Sequence, residues 1–227
     1  AYTNVDKCES DPLCWRVNED IPNYLSQWSS KNNALLVHIS TDYVFDGNKE
    51  RNEYWIEDEL PNPLSEYGKS KFAGEQIIQN NMDNFIILRT AWLYGKNGKN
   101  FLKSILEISK NNEQPIKIVD DQFGSPTWSL ILAQQIRSII NTDLRGIFHA
   151  SSMGSCSWYD LANEFFSLLN REVSIIPCST EEFPALAPRP RNSILKNSRL
   201  IYEDINCFVH WKLELKEFIA KNKDFLL

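Results

Sequence analysis

The chain has 227 residues, with 24 Lys and Arg against 30 Asp and Glu, which gives a formal net charge of −6 at pH 7. Hydrophobic residues make up 42 % and charged residues 24 %, the balance of an ordinary globular protein, and charges of both signs are interspersed. This composition argues against nucleic acid as a partner, because proteins that bind it carry a basic face. The sequence shows neither a membrane-length apolar run nor a signal-peptide pattern, so we expect a cytoplasmic protein without a membrane partner.

Short apolar runs and helical spacing alternate along the chain. The runs predict buried strands at residues 34–40, 85–90, 116–120, 146–150 and 173–177. Apolar residues at helical spacing predict helices at residues 65–80, 101–109, 128–140, 158–169 and 211–221. Strands that alternate with helices predict βαβ units, and therefore an α/β fold with a Rossmann-type parallel sheet and helices on both faces. We expect the main loops at residues 46–63 and 181–197.

The cysteines and histidines give no metal-site pattern. The five cysteines are Cys8, Cys14, Cys156, Cys178 and Cys207. Their odd number, irregular spacing and lack of a C-x-x-C motif predict neither a disulfide scaffold nor a structural zinc site, and favour a reducing compartment. The three histidines are scattered along the chain, and we predict no metal-binding residues.

The stretch from Ser40 to Lys71 carries the chemistry. A predicted strand ends in Ser40 and Thr41, and the next predicted helix begins with Tyr67 and Lys71, which a spacing of four places on one helix face. Reduction of a ketone by a nicotinamide needs an acid that protonates the carbonyl oxygen. A lysine ammonium near a tyrosine lowers the phenol pKa from about 10. A Tyr and a Lys at this spacing are by themselves more often an exposed pair on a helix surface. Their position after a strand that ends in hydroxyl residues favours catalysis.

Several segments in fixed order then resemble one family. The segments are STDYVFDG at 40–47, PLSEYGKSKFAGE at 63–75, LRTAWLYG at 88–95, DDQFGSPT at 120–127 and RPRNS at 189–193. Together they resemble the dTDP-4-dehydrorhamnose reductases, which are extended short-chain dehydrogenases/reductases. The resemblance covers nearly the whole chain and implies reduction of dTDP-4-dehydro-L-rhamnose to dTDP-L-rhamnose by NADPH or NADH, for the synthesis of cell-surface polysaccharide precursors.

The resemblance also implies roles for individual residues. Tyr67 would be the general acid, Lys71 its activator and a ligand of the cofactor ribose, and Thr41 the third catalytic residue. It places Tyr2 and Ser40 beside the cofactor, together with Tyr67 and Lys71. The residues implied for the nucleotide sugar are Thr41, Trp92, Lys99, Asn100, Gln122, Gly124, Pro126 and Arg189. Some members of the family are dimers with a magnesium ion at the interface. The resemblance therefore implies a homodimer and Mg²⁺, but it identifies no metal ligand in this sequence.

A purely structural role stays open for several of these residues. Trp92 could be a core aromatic residue, and Arg189 could stiffen a loop between prolines. Gly124 and Pro126 could serve backbone geometry alone. His38 lies within a predicted strand and is assigned no role.

The sequence departs from the family in one respect. Its eight glycines include no G-x-G-x-x-G, so the strand, glycine-rich turn and helix that hold a dinucleotide pyrophosphate are not recognisable. At roughly 30 residues per βαβ motif, about 60 residues would be missing. Two interpretations stay open, a fragment of a longer reading frame or a short protein that has lost part of the fold. The retained catalytic motif favours the fragment. Residues 1–95 would be the second half of the cofactor domain and residues 96–227 mainly the substrate-binding region, with the strand at 146–150 returning to the main sheet.

Two other functions remain open. One is a nucleotide-sugar epimerase or dehydratase of the same superfamily, because dehydratases place acidic residues beside the active-site threonine and Asp42 stands there. The other is a non-catalytic regulatory subunit that resembles the β subunit of methionine adenosyltransferase.

Overall fold

The computed structural model describes residues 1–111, 114–183 and 185–223. The strands are β1 (Leu36–Thr41), β2 (Phe85–Thr90), β3 (Leu93–Tyr94), β4 (Ile116–Val119), β5 (Phe123–Gly124), β6 (Thr127–Trp128), β7 (Gly146–His149), β8 (Cys156–Ser157) and β9 (Ile175–Cys178). The helices are α1 (Val5–Cys8), α2 (Leu13–Trp15), α3 (Ile21–Lys31), α4 (Glu66–Asn81), α5 (Phe101–Asn111), α6 (Ser129–Ile139), α7 (Trp158–Leu168), α8 (Ser198–Tyr202) and α9 (Trp211–Lys221). A π-helical segment (Arg16–Asp20) joins α2 to α3, and a 3-10 turn (Asp42–Val44) follows β1.

All five predicted strands and all five predicted helices are present, with ends shifted by at most two residues. The central sheet has the order β1-β2-β7, and all three strands are parallel. The strand predicted at 146–150 is β7, which pairs with β2 in this sheet. Three further strand pairs lie outside it: β3 with β6, β4 with β9, and β5 with β8.

The central sheet is buried on both faces because its side chains alternate between two clusters. Ile86, Leu88 and Phe148 face the large core formed with α5, α6, α7 and α9. Ile87, between them in β2, faces the opposite way and packs with Ile78 of α4. Two buried faces explain why the strands read as continuous apolar runs rather than as an alternating pattern.

The first helical region was not predicted from the sequence. Helix α3 buries Pro22, Ser26 and Ser29, so small and polar residues form its packed side. Its large side chains are exposed, with Tyr24 at 68 % and Trp28 at 61 %. The usual relation between apolar periodicity and burial is therefore inverted in this helix.

The expectation of reduced cysteines is wrong for one pair. Cys8 and Cys14 form a disulfide, with Cα atoms 5.2 Å apart, whereas Cys156, Cys178 and Cys207 are free. Cys8 ends α1 and Cys14 lies in α2, and the intervening turn brings the two together. Neither the parity nor the spacing of the cysteines reveals that turn. A single local bridge is still no disulfide scaffold.

The part of the chain that the structure describes contains neither a candidate membrane span nor a candidate metal cluster. No helix there combines the length and the apolar composition needed to span a membrane. Nor do three or more His, Cys, Asp or Glu side chains in those ranges cluster so that they could hold a metal ion.

A buried ion pair fixes α4 against the sheet. The guanidinium of Arg89 in β2 donates from Nε to Glu75 Oε1 at 3.0 Å and from Nη2 to Glu75 Oε2 at 2.7 Å. The two side chains are only 2 % and 0 % exposed. Two parallel hydrogen bonds set the position of α4 along β2 as well as its distance from the sheet.

Removing one partner of this pair leaves the other charge buried without compensation. We expect Glu75→Gln to lower the free energy of unfolding by about 3–5 kcal/mol. Urea denaturation monitored by circular dichroism measures it. Glu217→Gln is the matched control, because Glu217 pairs with Lys221 on the exposed side of α9 and is 52 % exposed. There the change should stay below about 1 kcal/mol. Equal effects at the two sites would contradict the clamping role of Glu75.

Candidate active site

The start of α4 is placed beside the carboxyl end of β1. Ser65 caps the helix, since its hydroxyl accepts the Gly68 N–H at 3.1 Å. A Cβ atom at Gly68 would lie 2.3 Å from the carbonyl oxygen of Tyr43, so only glycine permits this approach. The first turn of α4 therefore presents Tyr67 to the turn after β1. The Tyr67 ring meets the Tyr43 ring edge-on, with centroids 5.6 Å apart.

Tyr67 is protonated at neutral pH. Burial raises the pKa of Tyr67 to about 12, the hydroxyl of Thr41 lowers it through a hydrogen bond, and the charge of Asp42 raises it. Burial therefore outweighs the lowering expected from a neighbouring ammonium, and the Lys71 ammonium in this structure lies against β1.

Lys71 is 1 % exposed, and its ammonium lies against β1. Nζ donates to the Ile39 carbonyl at 2.6 Å and lies 3.2 Å from Nε2 of His38. Burial lowers the pKa of Lys71 to about 8, against the opposing charge of Glu75. Burial and the Lys71 charge lower the pKa of His38 to about 3, so His38 is neutral and can accept a hydrogen bond from Lys71. Sequence reasoning missed His38, although its period-two relation to Ser40 places the two side chains on the same face of β1.

Asp42 sets the direction of the Thr41 hydroxyl. Thr41 Oγ1 donates to Asp42 Oδ1 at 3.0 Å and accepts the Tyr43 N–H at 3.2 Å. Asp42 is 2 % exposed, and burial raises its pKa to about 6, although the hydroxyls of Ser193 and Thr41 lower it. A residue that sequence analysis considered only as a mark of dehydratases is thus a direct partner of Thr41.

Two buried hydroxyls at this end of the sheet have no hydrogen-bond partner among the described residues. They are Ser40 Oγ in β1 and Thr90 Oγ1 in β2. Thr90 is the register partner of Thr41, so both lie at the carboxyl ends of neighbouring strands. Unsatisfied buried donors are unusual, and a polar ligand at this edge of the sheet would satisfy them. The hydroxyl of Tyr2, in contrast, is engaged, because it donates to Asp11 at 2.7 Å.

Trp92 follows the end of β2 in a strained backbone conformation. Its φ of +47° lies in the left-handed region, which bulky residues rarely adopt. Such a conformation costs about 1–3 kcal/mol and persists only where the surroundings impose it. The indole stacks on Trp158 at 3.5 Å with an interplanar angle of 6°. Gly124 makes room for it, since a Cβ there would lie 2.4 Å from Trp92 Cε2.

An apolar cavity of about 520 Å³ opens on the other side of Trp158. Helix α5, strand β4 and the loop after β9 line it with Phe101, Ile105, Ile108, Ile118, Trp158 and Phe183. Gln122 and Arg189 also reach it. Arg189 is partly occupied by an ion pair, since its Nη2 lies 2.9 Å from Asp6 Oδ2.

The remaining residues of the sequence-derived site lie apart from this cavity. The Asn100 side chain stabilises the start of helix α5. Its Oδ1 accepts the Lys103 N–H at 3.1 Å and its Nδ2 donates to the Gly95 carbonyl at 2.9 Å. Lys99 beside it is exposed, and Pro126 is buried in the turn between β5 and β6. Contacts of these three with a nucleotide sugar stay predictions.

Comparisons with known proteins agree with this geometry. The profile of the family described as RmlD substrate binding domain matches residues 1–223. The chain is 36 % identical over 222 residues to the spore coat polysaccharide biosynthesis protein SpsK of Bacillus subtilis, covering 97 % of this chain and 77 % of that protein.

Solved structures are similar over almost the whole chain. A dTDP-4-dehydrorhamnose reductase from Clostridium acetobutylicum superposes with a TM-score of 0.94 at 40 % identity, covering 98 % of this chain and 79 % of that one. The Bacillus anthracis enzyme of the same name, solved in complex with NADP, gives 0.93 at 39 % identity, with 97 % and 78 % covered. The predicted α/β fold with parallel sheets is thereby confirmed.

The buried Asp42 should leave a signature in the pH dependence of stability. Its folded pKa of about 6 lies above the ordinary value of 3.8, so the folded state binds the proton more tightly than the unfolded state. Its contribution to stability is therefore present below pH 3.8 and is lost as pH rises towards 6. A shift of about two units corresponds to about 3 kcal/mol.

Asp42→Asn removes this titration. Between pH 4 and pH 7, we expect the unfolding free energy of the variant to rise relative to that of the unsubstituted protein by about 3 kcal/mol. Urea unfolding at a series of pH values measures the difference, and Asp83→Asn, at an exposed position just after α4, is the control. A difference that does not change with pH would contradict the raised pKa of Asp42.

Proposed function

The chain belongs to the RmlD substrate binding domain family of NAD(P)-dependent dTDP-sugar reductases, and on that premise we propose that it reduces dTDP-4-dehydro-L-rhamnose to dTDP-L-rhamnose. The observation that carries the proposal is the meeting of Thr41, Tyr67 and Lys71 at the carboxyl end of β1. Ligands of open parallel sheets bind at this edge.

The proton chemistry follows from the protonation states of these residues. A bound NADPH or NADH would supply the hydride that attacks the carbonyl carbon of the sugar. Tyr67, whose pKa of about 12 keeps the phenol protonated, would donate its proton to the carbonyl oxygen as negative charge develops there. The ammonium of Lys71, four residues further along the helix face, would stabilise the resulting phenolate. The Thr41 hydroxyl would orient the carbonyl oxygen.

The residues on the cofactor side are compatible with a nicotinamide ribose. Ribose hydroxyls both donate and accept hydrogen bonds, and the Ser40 hydroxyl lies buried without a partner among the described residues. Lys71 can donate a further hydrogen bond to ribose from its third N–H. We assign no residue of this chain to the pyrophosphate, because the sequence contains no glycine fingerprint for it.

The substrate side divides into two regions. The cavity beside Trp158, of about 520 Å³ and lined mainly by apolar side chains, would hold the base, and Arg189 at its edge offers a guanidinium that suits a diphosphate. Trp92 follows β2 next to the register partner of Thr41, so the sugar ring would lie between Trp92 and Tyr67. Substrates other than the rhamnose precursor would differ at the sugar ring while keeping the nucleotide.

One observation favours a second candidate. Asp42 lies beside Thr41 with a raised pKa, and an acidic group at this place would also serve a nucleotide-sugar dehydratase. The two reactions differ in redox balance. Reduction consumes one NADPH for each ketone, whereas elimination of water leaves the total of reduced cofactor unchanged.

Loss of the Tyr67 hydroxyl should abolish reduction without affecting folding. We expect Tyr67→Phe to lower kcat by a factor of about 100 or more, because the proton donor is removed. The assay follows NADPH absorbance with dTDP-4-dehydro-L-rhamnose. It uses this chain and the same chain carrying, before Ala1, the glycine-loop segment of a longer relative.

Tyr202→Phe is the matched control, since Tyr202 is 86 % exposed on α8, and it should retain full turnover. If Tyr67→Phe retains full turnover, Tyr67 is not the general acid. If neither form of the unsubstituted chain oxidises NADPH, the proposed reductase activity is wrong.

A further inference from the structure

Trp92 lies at a junction between the two regions of the site. It comes two residues after Thr90, the register partner of Thr41, and so stands at the edge of the sheet that carries the catalytic residues. Its stacking partner Trp158 lines the apolar cavity, and the Phe101 ring lies 4.8 Å from the Trp158 ring on that side. The stacked pair of indoles therefore connects the cavity to the end of the central sheet.

The conformation of Trp92 is imposed from outside its own segment. A left-handed backbone is unfavourable for a bulky side chain, so neighbouring groups must hold it. On one side, Gly124 allows the indole to approach the backbone of β5. On the other, the nearly parallel Trp158 ring contacts it at 3.5 Å. Trp158 begins α7, so a rigid helix carries the supporting ring.

Gln122 fixes the Trp158 ring through its side-chain amide. Its Oε1 accepts the Trp158 Nε1–H at 3.3 Å, and its Nε2 donates to Thr180 Oγ1 at 3.0 Å. Thr180 in turn donates from Oγ1 to Asp121 Oδ1 at 2.6 Å and from its backbone N–H to the same oxygen at 2.9 Å. Both the oxygen and the nitrogen of the buried Gln122 amide are thus hydrogen-bonded. The amide can therefore fix the orientation of the Trp158 indole within the plane of its ring.

The hydrogen-bond chain ends in the loop that borders the cavity. Thr180 follows β9, and Phe183 of the same loop lines the cavity. A ligand that fills the cavity and contacts this loop would therefore also act on Trp158 and, through the stack, on Trp92. The arrangement links the nucleotide side of the site to the sugar side.

We propose that Gln122 and Trp158, besides bordering the cavity, are positioning residues that hold Trp92 in place for recognition of the sugar ring. This inference rests on the proposed function, because it takes the nucleotide sugar as the ligand. It assigns to Gln122 a role in sugar recognition that acts through Trp158, in addition to its place at the edge of the cavity. Trp158 acts on Trp92 directly, because the two indole rings are stacked.

The test separates nucleotide affinity from sugar affinity in this chain. Isothermal titration calorimetry measures the affinity of the chain for dTDP and for dTDP-L-rhamnose, and their ratio gives the contribution of the sugar. Gln122→Met keeps the side-chain volume and removes both amide hydrogen bonds. We expect the ratio of the two affinities, and with it the sugar contribution, to fall about three- to tenfold in this variant, whatever affinity for dTDP it also loses.

Gln135→Met is the matched control. Gln135 is buried in α6, donates to the Ile205 carbonyl at 3.0 Å and accepts the Cys207 N–H at 2.8 Å, so it loses the same number of hydrogen bonds far from the tryptophans. It should keep the full sugar contribution. Trp158→Phe, which retains an aromatic ring but lacks the indole N–H, provides the same comparison if Gln122→Met does not fold.

The outcomes are distinct. A sugar contribution that is unchanged in Gln122→Met and Trp158→Phe overturns the positioning role, as does an equal loss of affinity for both ligands. If the unsubstituted chain binds dTDP-L-rhamnose no better than it binds an unrelated nucleotide, the proposed function itself fails and the inference falls with it.

Discussion

The docking of α4 onto the central sheet is the constraint on which the site depends. Three contacts along one side of the helix set it: Gly68 against the Tyr43 carbonyl, Lys71 on the Ile39 carbonyl, and Glu75 on Arg89. They recur about one turn apart and differ in kind, since one is steric, one a charged hydrogen bond and one a buried ion pair. Together they fix the rotation of the helix and its distance from β1. Because Tyr67 lies in the first turn, its position follows from these contacts.

Burial gives each titratable group of the site a defined protonation state. It raises the pKa of Tyr67 and of Asp42, and it lowers the pKa of Lys71 and of His38. At neutral pH the phenol is therefore protonated and the imidazole is neutral. A buried ammonium is costly unless it is paired, and here the Ile39 carbonyl and the neutral His38 share that task. The Lys71 ammonium is thus held in place by two groups of β1.

Sequence patterns predicted those parts of the molecule that local rules govern. Buried strands appear as apolar runs, Ser65 appears as a helix cap, and a spacing of four places Tyr67 and Lys71 on one face. The pattern failed where tertiary contacts override local preference. In helix α3 the apolar residues Ile21, Tyr24, Leu25 and Trp28 follow helical spacing, yet the face that the helix buries carries Pro22, Ser26 and Ser29.

Long-range partners were likewise beyond the reach of the sequence. The amide of Gln122 is bound by Trp158 and Thr180, which lie 36 and 58 positions away in the chain, and no local pattern indicates these partners. The direction of the Lys71 ammonium depends on His38, 33 positions earlier. A resemblance between sequences indicates which residues belong to a site, but only the folded geometry shows which of those side chains bind one another.

A crystal structure of this chain with dTDP-L-rhamnose tests the central claim most directly, because it locates the sugar relative to Tyr67. The account predicts the O4 hydroxyl of rhamnose within about 3 Å of both the Tyr67 and Thr41 hydroxyls, with the sugar ring against Trp92. It also predicts the base in the apolar cavity beside Trp158. A sugar bound away from Tyr67, with the nucleotide outside that cavity, would contradict the account.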